Sequence, residues 1–130
     1  MKLLLDTHAW IWSTLEPERL SRRVSRALTD PDNELHLSPI SVWEATLLAR
    51  RGRLDLKTTP EAWIRAALAA SPTALAEISY DVAVRAVELP DSVGRDPADR
   101  FLVATAMLQN LTLVTRDRRL RAFKTVPTLW

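Results

Sequence analysis

Leu111-Thr112-Leu113-Val114-Thr115-Arg116-Asp117 is an apolar run of strand length that closes on a carboxylate, and Leu3-Leu4-Leu5-Asp6 has the same form. Both runs are continuously apolar rather than alternating, as in a strand covered on both faces. Runs of strand length occupy 2–5, 35–38, 75–79, 111–115 and 125–129. Helical spacing covers 8–15, 21–29, 40–51, 60–70, 80–88, 97–109 and a short stretch at 117–122. Strands separated by helices predict an α/β fold, a three-layer α/β/α sandwich with a central parallel sheet. Asp6 and Asp117 then fall at the carboxyl ends of buried strands, the edge at which such sheets bind ligands.

Glu44 and Asp99 fall in the first turns of the helical segments beginning near Ile40 and Pro97, which point at the same edge. Each of the four acids also has a plain structural reading. Asp6 can cap the helix that follows it. Ser41-Val42-Trp43-Glu44 matches a capping box, which would occupy Glu44. Asp96 can cap the helix that Pro97 starts, with Asp99 favourable to its dipole. Asp117 can be a turn aspartate. Four independent caps do not explain why all four acids map to one edge. Carboxylates gathered there raise one another's pKa unless a cation intervenes, so the cluster implies a divalent metal.

Other local signals fit these boundaries. Ser21 caps the second helix, Thr59-Pro60-Glu61 opens the fourth, and Gly52 closes the Glu44 helix behind basic residues.

The composition narrows the function classes. At 130 residues, 47% of them hydrophobic, the expectation is a single domain over 1–130. Without cysteine, thiol nucleophiles, disulfides and zinc-thiolate sites are excluded. No apolar stretch approaches membrane-spanning length, and a soluble, cytoplasmic protein is expected. The net charge is only +2, but arginine lifts the pI to about 9.5. Bases group at Arg19 to Arg26, at Arg50 to Arg53 and at Arg116 to Lys124. The last two groups suggest a positive rim around the acidic centre, suited to RNA.

His8 and His36 lack the spacing of a zinc helix, and two glycines, Gly52 and Gly94, exclude a dinucleotide fingerprint or a Walker loop. Serine hydrolase chemistry is disfavoured, since Ser38, Ser41 and Thr115 have no histidine base at a recognisable spacing. Trp10, Trp12, Trp43 and Trp63 sit at helical spacing and read first as packing residues.

Four segments carry a resemblance: Leu3-Leu4-Leu5-Asp6-Thr7-His8, Ser38-Pro39-Ile40-Ser41-Val42-Trp43-Glu44, Asp96-Pro97-Ala98-Asp99-Arg100-Phe101-Leu102-Val103-Ala104 and Leu113-Val114-Thr115-Arg116-Asp117. In order and spacing they resemble PIN-domain ribonucleases, specifically the toxins of VapBC-type toxin–antitoxin pairs. The resemblance implies a PIN-like fold and a Mg²⁺- or Mn²⁺-dependent endoribonuclease with Asp6, Glu44, Asp99 and Asp117 as its acidic quartet. It also implies a homodimer and a cognate antitoxin. Relatives often carry His where this chain has Gly94 and Lys where it has Leu48, with Arg50 or Arg51 as candidates to substitute.

On this reading Asp6 and Asp99 are direct metal ligands, Asp117 is a direct or water-mediated one, and Glu44 is a ligand or the base orienting the attacking water. Thr7, Ser38 and Thr115 are expected to hold those carboxylates by hydrogen bonds, and Asp96 to position the turn as an outer partner of the site. Arg50, Arg51, Arg100 and Arg116 are the candidate RNA contacts. Two readings compete: a catalytically degenerate RNA-binding or regulatory module, and a phosphoryl-transfer domain. The second needs acid motifs that Asp6-Thr7-His8 does not supply.

Overall fold

The computed structural model describes residues 1–130. Five strands, β1 (Lys2–Leu5), β2 (Glu34–Leu37), β3 (Ala74–Leu75), β4 (Thr112–Val114) and β5 (Thr128–Leu129), form one parallel sheet in the order β3-β2-β1-β4-β5. Its helices are α1 (Thr7–Leu15), α2 (Arg22–Thr29), α3 (Pro39–Arg50), α4 (Pro60–Ala70), α5 (Tyr80–Glu88), α6 (Pro97–Gln109) and α7 (Arg118–Ala122). Short 3₁₀ turns lie at Pro17–Arg19 and Asp91–Val93. The α/β/α sandwich expected from the alternation of runs is the architecture found.

β1 is the middle strand, and the alternation of its side chains feeds two cores. Leu3 and Leu5 pack with Trp10, Val24, Ala45 and Trp63 from α1 to α4. Leu4 points the other way, among Val82, Leu102, Val103 and Leu120 from α5, α6 and α7. All three leucines are buried. Each contributes roughly 1.5–3 kcal/mol, which is why no polar residue interrupts the run until the sheet ends.

The edges of the sheet are shorter than the apolar runs suggest. β3 pairs only at Ala74 and Leu75, although the Ala76 N–H still donates to the Leu37 carbonyl at 2.9 Å. β5 starts at Thr128 rather than 125 because Pro127 has no N–H, its carbonyl accepting from Leu113 N–H at 2.9 Å.

Caps account for most boundaries. Ser21 and Thr59 accept from the N–H groups of Val24 and Ala62, as expected. Gly52, at φ 69°, ends α3 in the left-handed region, where its N–H and that of Arg53 reach the carbonyls of Ala49 and Leu48. No helix is long and apolar enough to cross a membrane.

The strand order creates the site. From β1 the chain runs to β2 and β3 on one side, while β4 and β5 lie on the other, so the connections diverge beyond the carboxyl ends of β1 and β4. A crevice forms at such a switch point. There the Asp6 N–H extends the ladder, donating to the Val114 carbonyl at 3.1 Å.

Candidate active site

Asp6, Glu44, Asp99 and Asp117 all line one cleft of about 910 Å³ at this switch point, together with Asp96. Three of these five acids do cap helices, so the structural and functional readings coexist. Asp6 caps α1 through the Ala9 N–H at 2.7 Å. Asp96 caps α6 through the N–H groups of Ala98 at 2.8 Å and Asp99 at 3.4 Å. Asp117 caps α7 through those of Arg119 at 2.8 Å and Leu120 at 3.3 Å.

Glu44 departs from its expected setting. Ser38 caps α3 through the Ile40 N–H at 3.2 Å, with Pro39 in the first turn, so Ser41 is already inside the helix and the capping box does not form. Glu44 therefore lies beyond the first turn, and its carboxylate faces the cleft unoccupied by that bond. The buried Ser41 hydroxyl instead accepts from Thr7 at 3.2 Å, joining α1 to α3.

Thr115 is wholly buried between two of the acids. Its hydroxyl accepts the Asp117 N–H at 3.1 Å and lies near enough to Asp6 to favour that carboxylate's charged form. Burial pushes the Asp6 carboxyl above its usual range, and Glu44 adds to this. Thr115, the Ala9 N–H and the His8 charge pull it back. Asp99, half-buried in the first turn of α6, is pushed from 3.8 to about 7, chiefly by burial and then by the charges of Asp96, Asp117, Glu44 and Asp6. Those contributions all act in one direction.

Positive charge shares the cleft without neutralising it. Arg19, Arg53, Arg116 and Arg119 line the same walls, yet only Arg19 forms an ion pair, with Glu16 at 3.3 Å. Apart from that pair, the acids and arginines of the cleft do not neutralise one another. No three acidic or imidazole side chains form a ready-made ligand group. The donor set nonetheless fits a hard cation, being oxygen-only and short of positive charge at Asp99.

A family model described as "PIN domain" matches residues 3–126. The chain belongs to the PIN-domain family. Among curated proteins it is 39% identical over 122 residues to Ribonuclease VapC22 of Mycobacterium tuberculosis (strain ATCC 25618 / H37Rv), covering 94% of this chain and 92% of that one. A toxin–antitoxin complex from Klebsiella pneumoniae contains a chain that is 26% identical, with a TM-score of 0.63 over 95% of this chain and 94% of that one. VapBC2 from Rickettsia felis, bound to a DNA fragment from its promoter, shares the fold, with a TM-score of 0.74 at 15% identity over 99% and 98% of the two chains.

Of the arginines expected to meet RNA in this PIN domain, only Arg116 lines the cleft. Arg100 is turned away. Its guanidinium donates to the carbonyls of Ala86 at 2.8 Å, Gly94 at 2.7 Å and Val87 at 3.1 Å, and to that of Leu89. Arg50 lines a separate groove of about 600 Å³ between α3 and α4, and Arg51 lies in neither. Arg53 and Arg119 belong to the two basic groups expected to rim the acidic centre, though neither is among the named RNA contacts, and Arg19 lies outside both groups. Arg119 had a local signal, since it lies two residues beyond Asp117, in the first turn of the short helix that Asp117 caps.

The packing expected of the tryptophans holds for Trp10, Trp12 and Trp63 but not for Trp43, which is exposed on α3. Trp10 is buried edge-on against Trp63 at 5.0 Å. Trp12 lies in the cleft wall, covered by Arg19 at 4.3 Å and Arg116 at 5.8 Å from its ring centre. These contacts hold two guanidinium groups at the rim.

Proposed function

We propose that the chain is an endoribonuclease hydrolysing RNA phosphodiester bonds with a divalent cation, Mg²⁺ or Mn²⁺, and that it acts as the toxin of a toxin–antitoxin pair. The observation that carries this reading is the separation of charge in the cleft: the carboxylates of Asp6, Glu44, Asp99 and Asp117 short of a cation beside Arg53, Arg116 and Arg119, which pair with no anion. A metal ion and a phosphodiester together satisfy both. The 39% identity to a protein named as a ribonuclease supports the substrate class.

Asp6, Asp99 and Asp117 would hold the cation, with Glu44 as a further ligand or the group orienting water. When bound, the cation supplies Lewis-acid charge at the phosphoryl oxygens and makes water more acidic. Hydrolysis forms a bond from the water oxygen to phosphorus and breaks the bond to the 3′-oxygen, which leaves with a proton. Glu44, which like Asp99 makes no capping bond, can take the water proton at its carboxylate. Thr115 keeps Asp6 and Asp117 in register, and Asp96 fixes the turn from which Asp99 projects. Arg116, with its guanidinium against Trp12, supplies charge for the RNA backbone.

The same reading gives the protein a cognate antitoxin, a second copy of itself and a cytoplasmic location. The exposed stripe of Tyr80, Val84 and Val87 on α5 offers apolar surface for such partners to cover. Incubation of the purified chain with RNA, with Mn²⁺ or Mg²⁺ and with EDTA, tests the activity. Products that need the metal and vanish in Asp99→Asn are expected. Full cleavage by a folded Asp99→Asn variant would overturn the assignment, and RNA binding without products would leave the degenerate module.

A further inference from the structure

Gly94 is buried beneath Arg119. A Cβ at Gly94 would fall 2.0 Å from Arg119 Nη1 and 3.1 Å from its Cζ, so the guanidinium occupies the volume a side chain would need. Gly94 itself is fixed from other directions. Its N–H donates to the Asp91 carbonyl at 2.9 Å, and its carbonyl accepts from Arg100 at 2.7 Å. Its φ of 96° is a conformation that glycine adopts without strain.

Arg119 lines the acidic cleft, yet it pairs with none of Asp96, Asp99 or Asp117. A long, flexible cation beside that many carboxylates would ordinarily swing onto one of them. Here the side chain lies across bare glycine backbone, and its donors remain available to an incoming anion.

The geometry points to Arg119, seated over Gly94, as a binding residue for a phosphate oxygen of the RNA backbone, with Gly94 positioning it. This rests on the ribonuclease reading. Arg119 touches substrate; Gly94 acts only through Arg119, by leaving the space empty.

The test measures binding of a fluorescent unstructured oligoribonucleotide in EDTA against salt, and cleavage with Mn²⁺. Arg119→Gln weakens binding and reduces the slope of log affinity on log salt by about 0.7, the value for one phosphate contact on a single strand. Arg119→Lys keeps the slope because the charge is kept, but loses affinity with the planar fork. In cleavage, Arg119→Gln lowers kcat/KM by about tenfold to a hundredfold, the worth of one charge-assisted hydrogen bond. Gly94→Ala displaces the guanidinium and reproduces that loss, and adds nothing further in the Arg119→Gln background.

An unchanged salt slope and unchanged kcat/KM in Arg119→Gln overturn the inference, as does a full additional loss from Gly94→Ala in the Arg119→Gln background. Should the strained backbone keep Gly94→Ala from folding, the salt slope of Arg119→Gln decides alone. A wild-type chain that cleaves nothing with Mn²⁺ defeats the ribonuclease reading instead, and the slope in EDTA still reports on Arg119.

Discussion

The hydroxyl of Thr7 donates to that of Ser41 at 3.2 Å, and both side chains are buried. Thr7 follows Asp6 and Ser41 lies one turn before Glu44, so this bond fixes two acid-bearing helices against each other. Removing either partner strands a buried hydroxyl. Thr7→Val or Ser41→Ala is expected to cost about 1–3 kcal/mol in urea unfolding. The double variant should cost less than the sum, because no orphan remains. Additive losses would show that the bond does not couple α1 to α3.

If the carboxylates hold a cation, Mg²⁺ or Mn²⁺ must stabilise the folded chain by mass action. At a hundredfold excess over its dissociation constant the gain is about 2.7 kcal/mol. Thermal unfolding with and without metal should show this rise in wild type and lose most of it in Asp6→Asn and Asp99→Asn. Arg116→Gln, which removes no oxygen donor, should retain it. A metal-dependent rise that survives both aspartate substitutions would place the cation elsewhere.

Asp99 sets a pH dependence in the metal-free protein. Its carboxyl is raised from 3.8 to about 7, so between these values the folded chain binds a proton that the unfolded chain releases. Stability from this group is complete below 3.8 and is lost as pH rises through about 7. Asp99→Asn removes the penalty, and should stabilise the protein in EDTA at slightly alkaline pH. Partial solvent access discounts the gain to on the order of 1–2 kcal/mol. Unfolding midpoints across roughly pH 4 to 8 check the sign: wild type falls toward the alkaline end more steeply than Asp99→Asn. Parallel curves would mean that neither burial nor the neighbouring acids raise the Asp99 carboxyl.

The parts of this molecule that were legible in the sequence are those set by neighbours along the chain. Leu3-Leu4-Leu5 and Leu111 to Val114 had to be central strands because both faces are apolar, and the acids that end them had to emerge at one edge. Asp96-Pro97 announced α6 through its own cap. The arginine assignments fared worse, because direction rather than proximity decides which side chain enters a cleft. Consecutive helical residues point about 100° apart, so with Asp99 facing the acids Arg100 faces elsewhere. Arg50, six residues after Glu44, is turned about a third of the way around α3. Arg119 over Gly94 joins two segments distant in sequence, and only the fold brings them together.

Arg100 holds the loop that delivers Asp96 and Asp99. The carbonyls of Ala86 and Val87 belong to the last turn of α5, where no helical N–H can reach them, and those of Leu89 and Gly94 lie in the connection to α6. One planar guanidinium satisfies them together, and its charge suits a helix carboxyl end. Arg100→Gln should therefore destabilise the protein by about 2–4 kcal/mol, with buried carbonyls left unpaired. Arg100→Lys should recover only part, since an ammonium cannot reproduce the fork. Below its melting temperature Arg100→Gln should also cleave RNA poorly, while the salt slope of RNA binding stays at the wild-type value. A variant with the wild-type unfolding midpoint and a reduced salt slope would return Arg100 to the RNA-binding surface.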